Sequence, residues 1–233
     1  ILCGVLAALM LAGCGSSEME EYVIAEAGMP TRMRKTEDRV DTETLQRFSD
    51  ETAAAFFIGD RNAVYSPVSL YAALGMLTEL TDGQTRQQVM DLLDAADGEA
   101  LRQQIRKLWM SVYQDGDAVC RLANAAFLRE NADVKQTAVD TLAQWYYASS
   151  YRLPMGTAEA DEAIASWLNQ QTGGLLSEET GNIRTDADNL LRLYNTIYYK
   201  AGWRAAFEGD QTKADTFTAA DGSKQQVDFM HRT

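Results

Sequence analysis

The chain has 233 residues, with 34 acidic and 21 basic side chains and a formal net charge of −13 at pH 7. So acidic a surface repels nucleic acid and anionic membrane surfaces at long range, and we therefore expect no nucleic-acid partner. Apolar residues make up 46% of the chain, which excludes bulk disorder, and the length permits one large domain or two modest ones.

An apolar leader opens the chain and ends in the run Leu11-Ala12-Gly13-Cys14. The leader is too short to span a bilayer, and this run resembles the cleavage box of bacterial lipoproteins. The resemblance implies that residues 1–13 are a signal peptide and that Cys14 carries the lipid, anchoring the protein in a bacterial cell envelope on the extracytoplasmic side. The alternatives are an ordinary signal peptide of a secreted protein or an artefact of the start site.

A polar segment follows the leader and mixes acidic with basic side chains over residues 14–40. Such a composition buries too little apolar area to order itself. We therefore expect an acidic, polar tether that holds the folded body, residues 41–233, away from a membrane. Cys120 is then the remaining thiol of the body, and its apolar surroundings favour a buried structural role.

Two helices open the body. The first is predicted from about Asp41 to Ile58 and ends at Gly59. A short strand from Asn62 leads into the second, whose apolar side chains cover all directions of a 3.6-residue period, so that other structure must enclose it. Ser66 is a favourable N-cap for this helix, and Pro67 suits its first position because no partner is needed there for an N–H group.

A short helix capped by Thr85 follows, and then an amphipathic helix from about Gly98. The second carries three cations, Arg102, Arg106 and Lys107, on one part of its surface. They could form a site for a polyanion, but a solvated face of an amphipathic helix explains them more simply.

Strands and helices then alternate along the rest of the chain. The predicted elements are a mostly apolar central strand over 119–128, a helix over 133–149, a short strand over 151–153, a helix over 157–171, a long strand over 190–200 and a hairpin within 216–232 that turns at Asp221-Gly222. Gly173-Gly174 is expected to stop the helix over 157–171.

The sequence contains no catalytic constellation that we can recognise. Its one histidine is His231, and no serine lies in a Gly-x-Ser-x-Gly elbow. Neither metal-ligand spacings nor a glycine-rich phosphate loop occurs. We therefore expect no enzyme, no metal and no cofactor.

Four blocks of residues, in this order, resemble the serpins, a family of serine protease inhibitors. They are Ser66-Pro67-Val68-Ser69 with Gly83 and Thr85 after it, the run from Leu122 to Phe127, Ser166-Trp167-Leu168-Asn169 with Thr172-Gly173, and the run from Leu191 to Trp203 with Phe207, Thr212 and Phe217 after it. The resemblance covers about residues 41–233. It implies a mixed α/β fold in which a helical N-terminal part packs on a large central β-sheet.

The chain departs from the family at two positions and in extent. Ala201 and Ala206 stand where family members usually have Gly and Pro. The chain opens with Ile1 and stops at Thr233 directly after a strand-like stretch, so we expect it to be a piece of a longer protein. The C-terminal portion and the reactive loop would then be absent, and this chain alone would inhibit nothing.

The resemblance also implies a function. A target serine or cysteine protease cleaves the reactive loop, which inserts into the main sheet and traps the protease, and we expect the inhibitor to be a monomer. By position, Ser66, Ser69 and Asn195 match the family's shutter, a group of polar side chains beneath the strands that separate. Trp203 matches the breach, where insertion begins.

Each of these residues has a plainer interpretation. Ser66 is expected to cap its helix in any case, Ser69 and Asn195 could be satisfied buried polar residues, and Trp203 could be ordinary core. At the level of the protein, the alternative is a serpin-like lipoprotein without inhibitory activity, acting as a binding or scaffold protein.

Overall fold

The computed structural model describes residues 17–27, 40–59 and 63–231. The helices are α1 (Ser17–Glu20), α2 (Thr42–Phe56), α3 (Pro67–Leu80), α4 (Gly83–Leu92), α5 (Gly98–Val112), α6 (Gln136–Trp145), α7 (Ala158–Gln171) and α8 (Ser177–Thr180). The strands are β1 (Val23–Ala25), β2 (Gln114–Asp115), β3 (Val119–Arg129), β4 (Ala148–Leu153), β5 (Leu191–Lys200), β6 (Lys213–Thr218) and β7 (Lys224–Phe229). None of the helices in these ranges is long and apolar enough to cross a membrane.

The chain divides into two compact units. Of the described residues, 17–27 and 124–194 belong to one, and 40–59, 63–123 and 195–231 to the other. Strands pair in the order β1-β4-β3-β2, and β5 also pairs with β3, while β6 and β7 form a separate antiparallel hairpin. The mixed α/β fold expected from the sequence is confirmed.

The helical unit is built around α3, which contacts α2, α4 and α5. Every residue of α3 is buried or half-buried, as its all-round apolar surface predicts. Phe48 of α2 meets Tyr71 of α3 edge to face, with ring centroids 5.2 Å apart, and both residues are 1% exposed. This aromatic pair, with Met76 and Leu101, forms the centre of the unit.

Capping side chains explain where these helices begin. The Asp41 carboxylate accepts hydrogen bonds from the backbone of Glu43 and Thr44 at the start of α2, both 3.1 Å long. The bonds from Thr44 hold the pKa of Asp41 below its usual value. Asp97 caps α5 in the same way, its carboxylate accepting from the Ala100 N–H at 2.8 Å.

The sheet unit is organised by the parallel pair β3 and β4, whose register runs from Asn124 opposite Ala148 to Arg129 opposite Leu153. Five consecutive residues of β3, Asn124–Leu128, are buried, which confirms the predicted central strand covered on both faces. Phe127 is fully buried, and Trp167 of α7 meets it edge to face, with ring centroids 5.8 Å apart. This contact holds α7 against the sheet.

Helix α7 is fixed where it begins. Thr157 caps it by accepting from the Ala160 N–H at 3.2 Å. Asp161 in its first turn accepts from both the N–H and the hydroxyl of Thr185, at 2.6 and 2.7 Å. Gly156 lies at φ +87°, and a Cβ atom there would come within 2.6 Å of the Ala187 nitrogen, so only glycine fits.

Three boundaries differ from the sequence-based predictions. Helix α6 ends at Trp145, and β4 already begins at Ala148, because Tyr147 adopts a left-handed backbone at φ +49° that no glycine signals. Helix α4 begins at Gly83, because the Asp82 carboxylate accepts from the Gly83 N–H and caps the helix before Thr85. Residues 63–66 are irregular, so the strand predicted before α3 is wrong for these residues.

The predicted tether is the largest difference. The predicted leader and Cys14, the predicted site of the lipid, lie outside the described residues, but residues 17–27 are ordered, and β1 pairs antiparallel with β4. The expectation that this segment cannot order itself is wrong for residues 17–27. These residues contain the apolar run Tyr22–Ala25, which becomes ordered because β4 supplies a strand edge and the neighbouring helices supply an apolar surface.

Candidate functional site

The candidate site begins at the N-terminus of α3. Ser66 has an extended backbone, and its hydroxyl accepts from the Ser69 N–H at 3.2 Å, which confirms that Ser66 is the N-cap. Ser66 and Ser69 are both half-buried. The structure thus brings these two predicted shutter residues together through the cap.

Asn195 lies in β5 and is also half-buried. Its grouping with Ser66 and Ser69 as a shutter stays a prediction. Its neighbour Thr196 is a site residue that the sequence analysis missed. Thr196 is only 7% exposed, and its hydroxyl has no hydrogen-bond partner within the described ranges.

A buried hydroxyl without a partner costs about 1–3 kcal/mol, so it favours any rearrangement that supplies one. The sequence pattern of β5 could have pointed to Thr196. Its side chains alternate between the two faces of the strand, and Thr196 shares a face with Tyr194 and Tyr198. The pattern shows which side chains share a face but not whether that face offers a partner.

Trp203, the predicted breach residue, follows β5. Its side chain is 72% exposed and meets Phe207 edge to face, with ring centroids 5.4 Å apart. Within the described residues, Trp203 is therefore not buried. Its role at a breach stays a prediction.

A second polar group, at Asn124 in β3, is satisfied. The Asn124 side-chain N–H donates to the Tyr146 carbonyl at 2.6 Å, and both residues are buried. This bond joins β3 to the end of α6. Asn124 thus serves as a structural bridge, as buried polar side chains generally do.

The basic residues of α5 do not act as a set. Arg102 forms two hydrogen bonds with Glu79 of α3, from Nε to Oε1 at 2.9 Å and from Nη2 to Oε2 at 2.8 Å. The Glu79 side chain is only 6% exposed. The Arg102 guanidinium already bonds a carboxylate and so connects α5 to α3. This makes a polyanion-binding site at Arg102, Arg106 and Lys107 less plausible.

A cavity of about 320 Å³ lies beside these helices and is lined in part by Asp41, Tyr71, Gln104 and Lys107. The Tyr71 hydroxyl donates to the Leu93 carbonyl at 3.2 Å, and burial raises the pKa of Tyr71 to about 12. A tyrosine held neutral in this way is a packing residue rather than an acid or base. Among the described residues, no cluster of His, Cys, Asp or Glu could hold a metal ion.

Cys120 of β3 is a free thiol. It is half-buried rather than fully buried, and burial raises its pKa above the usual value. A raised pKa disfavours the reactive thiolate, in keeping with the structural role expected for this residue.

Comparison with known proteins gives one consistent result. The sequence model of the family Serpin (serine protease inhibitor) matches residues 42–233. Serpin-Z1A of Triticum aestivum is 30% identical over 175 residues, which cover 72% of this chain and 44% of that protein. The chain therefore spans about half the length of the curated relatives it matches.

Solved structures agree in fold. The thermophilic serpin tengpin in its native state superposes with a TM-score of 0.77 at 21% identity, covering 91% of this chain and 53% of tengpin. Thyroxine-binding globulin in complex with thyroxine superposes with a TM-score of 0.68 at 22% identity, covering 82% of this chain and 52% of that one. On the family match over residues 42–233, the chain belongs to the serpin family.

Proposed function

We propose that the complete protein traps serine or cysteine proteases and that this chain is the N-terminal part of its inhibitory domain. The match of residues 42–233 to the serpin family carries this proposal. Insertion of a cleaved loop as an additional strand, with release of stored strain, is a general property of serpins and is not deduced from this chain.

The local chemistry of the described residues is compatible with a sheet that opens. The capped start of α3 supplies hydroxyl groups at Ser66 and Ser69, and β5 supplies Asn195 and the buried Thr196. In the trapping mechanism, such groups would hold one arrangement before insertion and another after it. The chain alone, without the reactive loop, would be inactive.

We further propose that the complete protein is a monomer tethered at a bacterial cell surface through lipid on Cys14. The lipobox-like run Leu11-Ala12-Gly13-Cys14 supports the anchor. The net charge of −13 supports attachment through lipid rather than through an anionic membrane surface, and it argues against nucleic acid as a partner.

The trapping proposal is tested by incubating the complete protein with a panel of serine and cysteine proteases. We expect at least one protease to give a covalent complex that survives SDS electrophoresis. The same protease with its catalytic nucleophile replaced by alanine is the control and should give no complex, because trapping requires the acyl-enzyme. Cleavage of the protein by every protease without any trapped species would reject inhibition and favour the binding or scaffold alternative.

The shutter assignment is tested in the same assay with Asn195→Ala and Ser69→Ala. If these side chains hold the closed arrangement, each variant should increase the number of inhibitor molecules consumed per trapped protease at least several-fold. Ser111→Ala, which removes a hydroxyl at an exposed position of α5 outside the shutter, is the matched control and should leave the stoichiometry unchanged. Unchanged stoichiometry in both shutter variants would show that Ser69 and Asn195 are simply buried polar residues.

A further inference from the structure

The ordered residues at the N-terminus of the described chain have no place in the proposed function. Residues 19–27, here named the N-terminal clasp, comprise the end of α1, the strand β1 and the residues beside them. The clasp contacts three elements of its own unit: β4 by strand pairing, and α6 and α7 through helix contacts.

Backbone hydrogen bonds attach the clasp to the edge of β4 that does not pair with β3. Val23 lies opposite Tyr151 and Ala25 opposite Ser150, with a register irregularity between the two pairs. The Arg152 N–H donates to the Tyr22 carbonyl at 2.9 Å. These bonds depend on an extended peptide but not on its side chains, so they accept a strand of almost any sequence.

Side chains make the attachment selective for apolar residues. Ile24 and Ala25 pack against a buried cluster formed by Leu128, Ala132 and Val139. Met19 is only 9% exposed, and α1 contacts α7. The recess beside β4 therefore fits a short peptide with aliphatic residues at consecutive positions.

One side-chain bond reaches the helix that covers the sheet. The Tyr22 hydroxyl donates to the Glu159 carboxylate in the first turn of α7. The clasp is thus hydrogen-bonded on one side to the edge strand and on the other to α7. Any movement of α7 away from β4 must break the Tyr22–Glu159 bond or carry the clasp with it.

We propose that the edge of β4, with α6 and α7, is a strand-binding site for an extended apolar peptide. The chain's own clasp occupies this site and thereby restrains α7. The restraint matters for inhibition only on the proposed function, because α7 packs on the sheet that the cleaved loop would enter. The strand-binding site itself stands independently of that function.

Residue-resolved hydrogen exchange on the full chain tests the site. Ile24→Asp places a carboxylate against the apolar cluster, so we expect the Arg152 amide and the first amides of α7 to exchange at least tenfold faster. Glu20→Gln, at an exposed position of the same segment, is the matched control and should change neither rate. Unchanged protection of Arg152 in Ile24→Asp would overturn the proposal.

A milder variant covers the case in which Ile24→Asp unfolds the unit. Tyr22→Phe removes the hydroxyl that bonds Glu159 and leaves the backbone pairing intact. We expect faster exchange at the start of α7 with Arg152 still protected. Equal exchange in α7 would show that the clasp does not restrain the helix.

A synthetic peptide with the sequence of residues 17–27 tests binding directly. Added to the Ile24→Asp chain, it should restore Arg152 protection in a saturable way, while the same peptide carrying Ile24→Asp should not. Absence of any rescue would overturn the strand-binding site. If protection in the unaltered chain rises with protein concentration, a second copy supplies the strand and the clasp does not act within one chain.

Trapping by the complete protein separates this proposal from the proposed function. If Ile24→Asp accelerates exchange in α7 but no variant traps a protease, the proposal for the clasp is supported and the proposed inhibitory function is rejected. If Ile24→Asp and the unaltered protein trap the protease with equal rate and stoichiometry, the inhibitory function is supported. The proposal that the clasp restrains loop insertion is then rejected.

Discussion

Replacing Phe127 by alanine is expected to lower the free energy of unfolding by about 3–5 kcal/mol. Phe127 is fully buried, stacks on Tyr151 with ring centroids 5.0 Å apart, and meets Trp167 and Tyr194 edge to face. The substitution leaves a cavity between three rings, which lie on β4, β5 and α7, and the cavity cannot close unless one of these elements moves. Urea denaturation followed by tryptophan fluorescence measures the change.

Two further variants calibrate the Phe127 result. Phe127→Leu retains most of the volume and should cost less than half as much. Tyr199→Ala removes an aromatic ring that is 69% exposed, and should shift the midpoint little. A loss below about 1 kcal/mol in Phe127→Ala would mean that the cluster around Phe127 does not form the core of the sheet unit.

Replacing Arg102 by methionine is expected to cost roughly 2–4 kcal/mol. Breaking a fully buried ion pair costs about 3–5 kcal/mol because the other charge remains uncompensated, and we reduce this range because the Arg102 side chain is 28% exposed. The bidentate pair with Glu79 leaves a buried carboxylate without its partner when Arg102 is removed. Thermal and urea denaturation both report the change.

A double-mutant cycle isolates the pair. Glu79→Met combined with Arg102→Met removes both charges and should restore most of the lost stability, because no buried charge then lacks a partner. Arg106→Met, at an exposed position of the same helix, is the control and should change stability by less than about 0.5 kcal/mol. Additive losses in the double variant would contradict a coupled pair.

Local chemistry made much of the fold predictable. The Ser66-Pro67 start of α3 follows from capping and from the missing proline N–H, and the burial of α3 follows from its apolar surface on all sides. The hairpin of β6 and β7 turns where Asp221-Gly222 predicts, with Gly222 at φ +82°. The Ser-Pro cap and the Asp-Gly turn could be predicted because each depends on the conformational preference of one or two residues.

The structure differs from the sequence-based prediction where contacts with residues distant in sequence determine the local conformation. Tyr147 takes a left-handed conformation that ends α6, although nothing in its residue type favours it. The predicted tether over residues 14–40 is polar by composition, yet β1 forms within it because an edge strand more than 120 residues away offers it hydrogen bonds. Composition estimates what a segment can bury by itself and omits what another strand contributes.

The candidate site was predictable in the same uneven way. The capping role of Ser66 depends on its immediate neighbours and could be predicted, whereas the burial of the Thr196 hydroxyl depends on the surface above β5 and could not. Trp203 is 72% exposed in this chain, which spans about half the length of its relatives. Large aromatic residues at the end of a strand carry no local signal of what covers them.

The pairing of β1 with β4 also bears on how the protein behaves in concentrated solution. An edge strand with unpaired N–H and C=O groups is a template on which strands of other molecules assemble into aggregates. In this chain the clasp already covers part of that template, and proteolytic removal of the first 27 residues would uncover it. Preparations nicked near their N-terminus should therefore scatter light and precipitate before intact ones do.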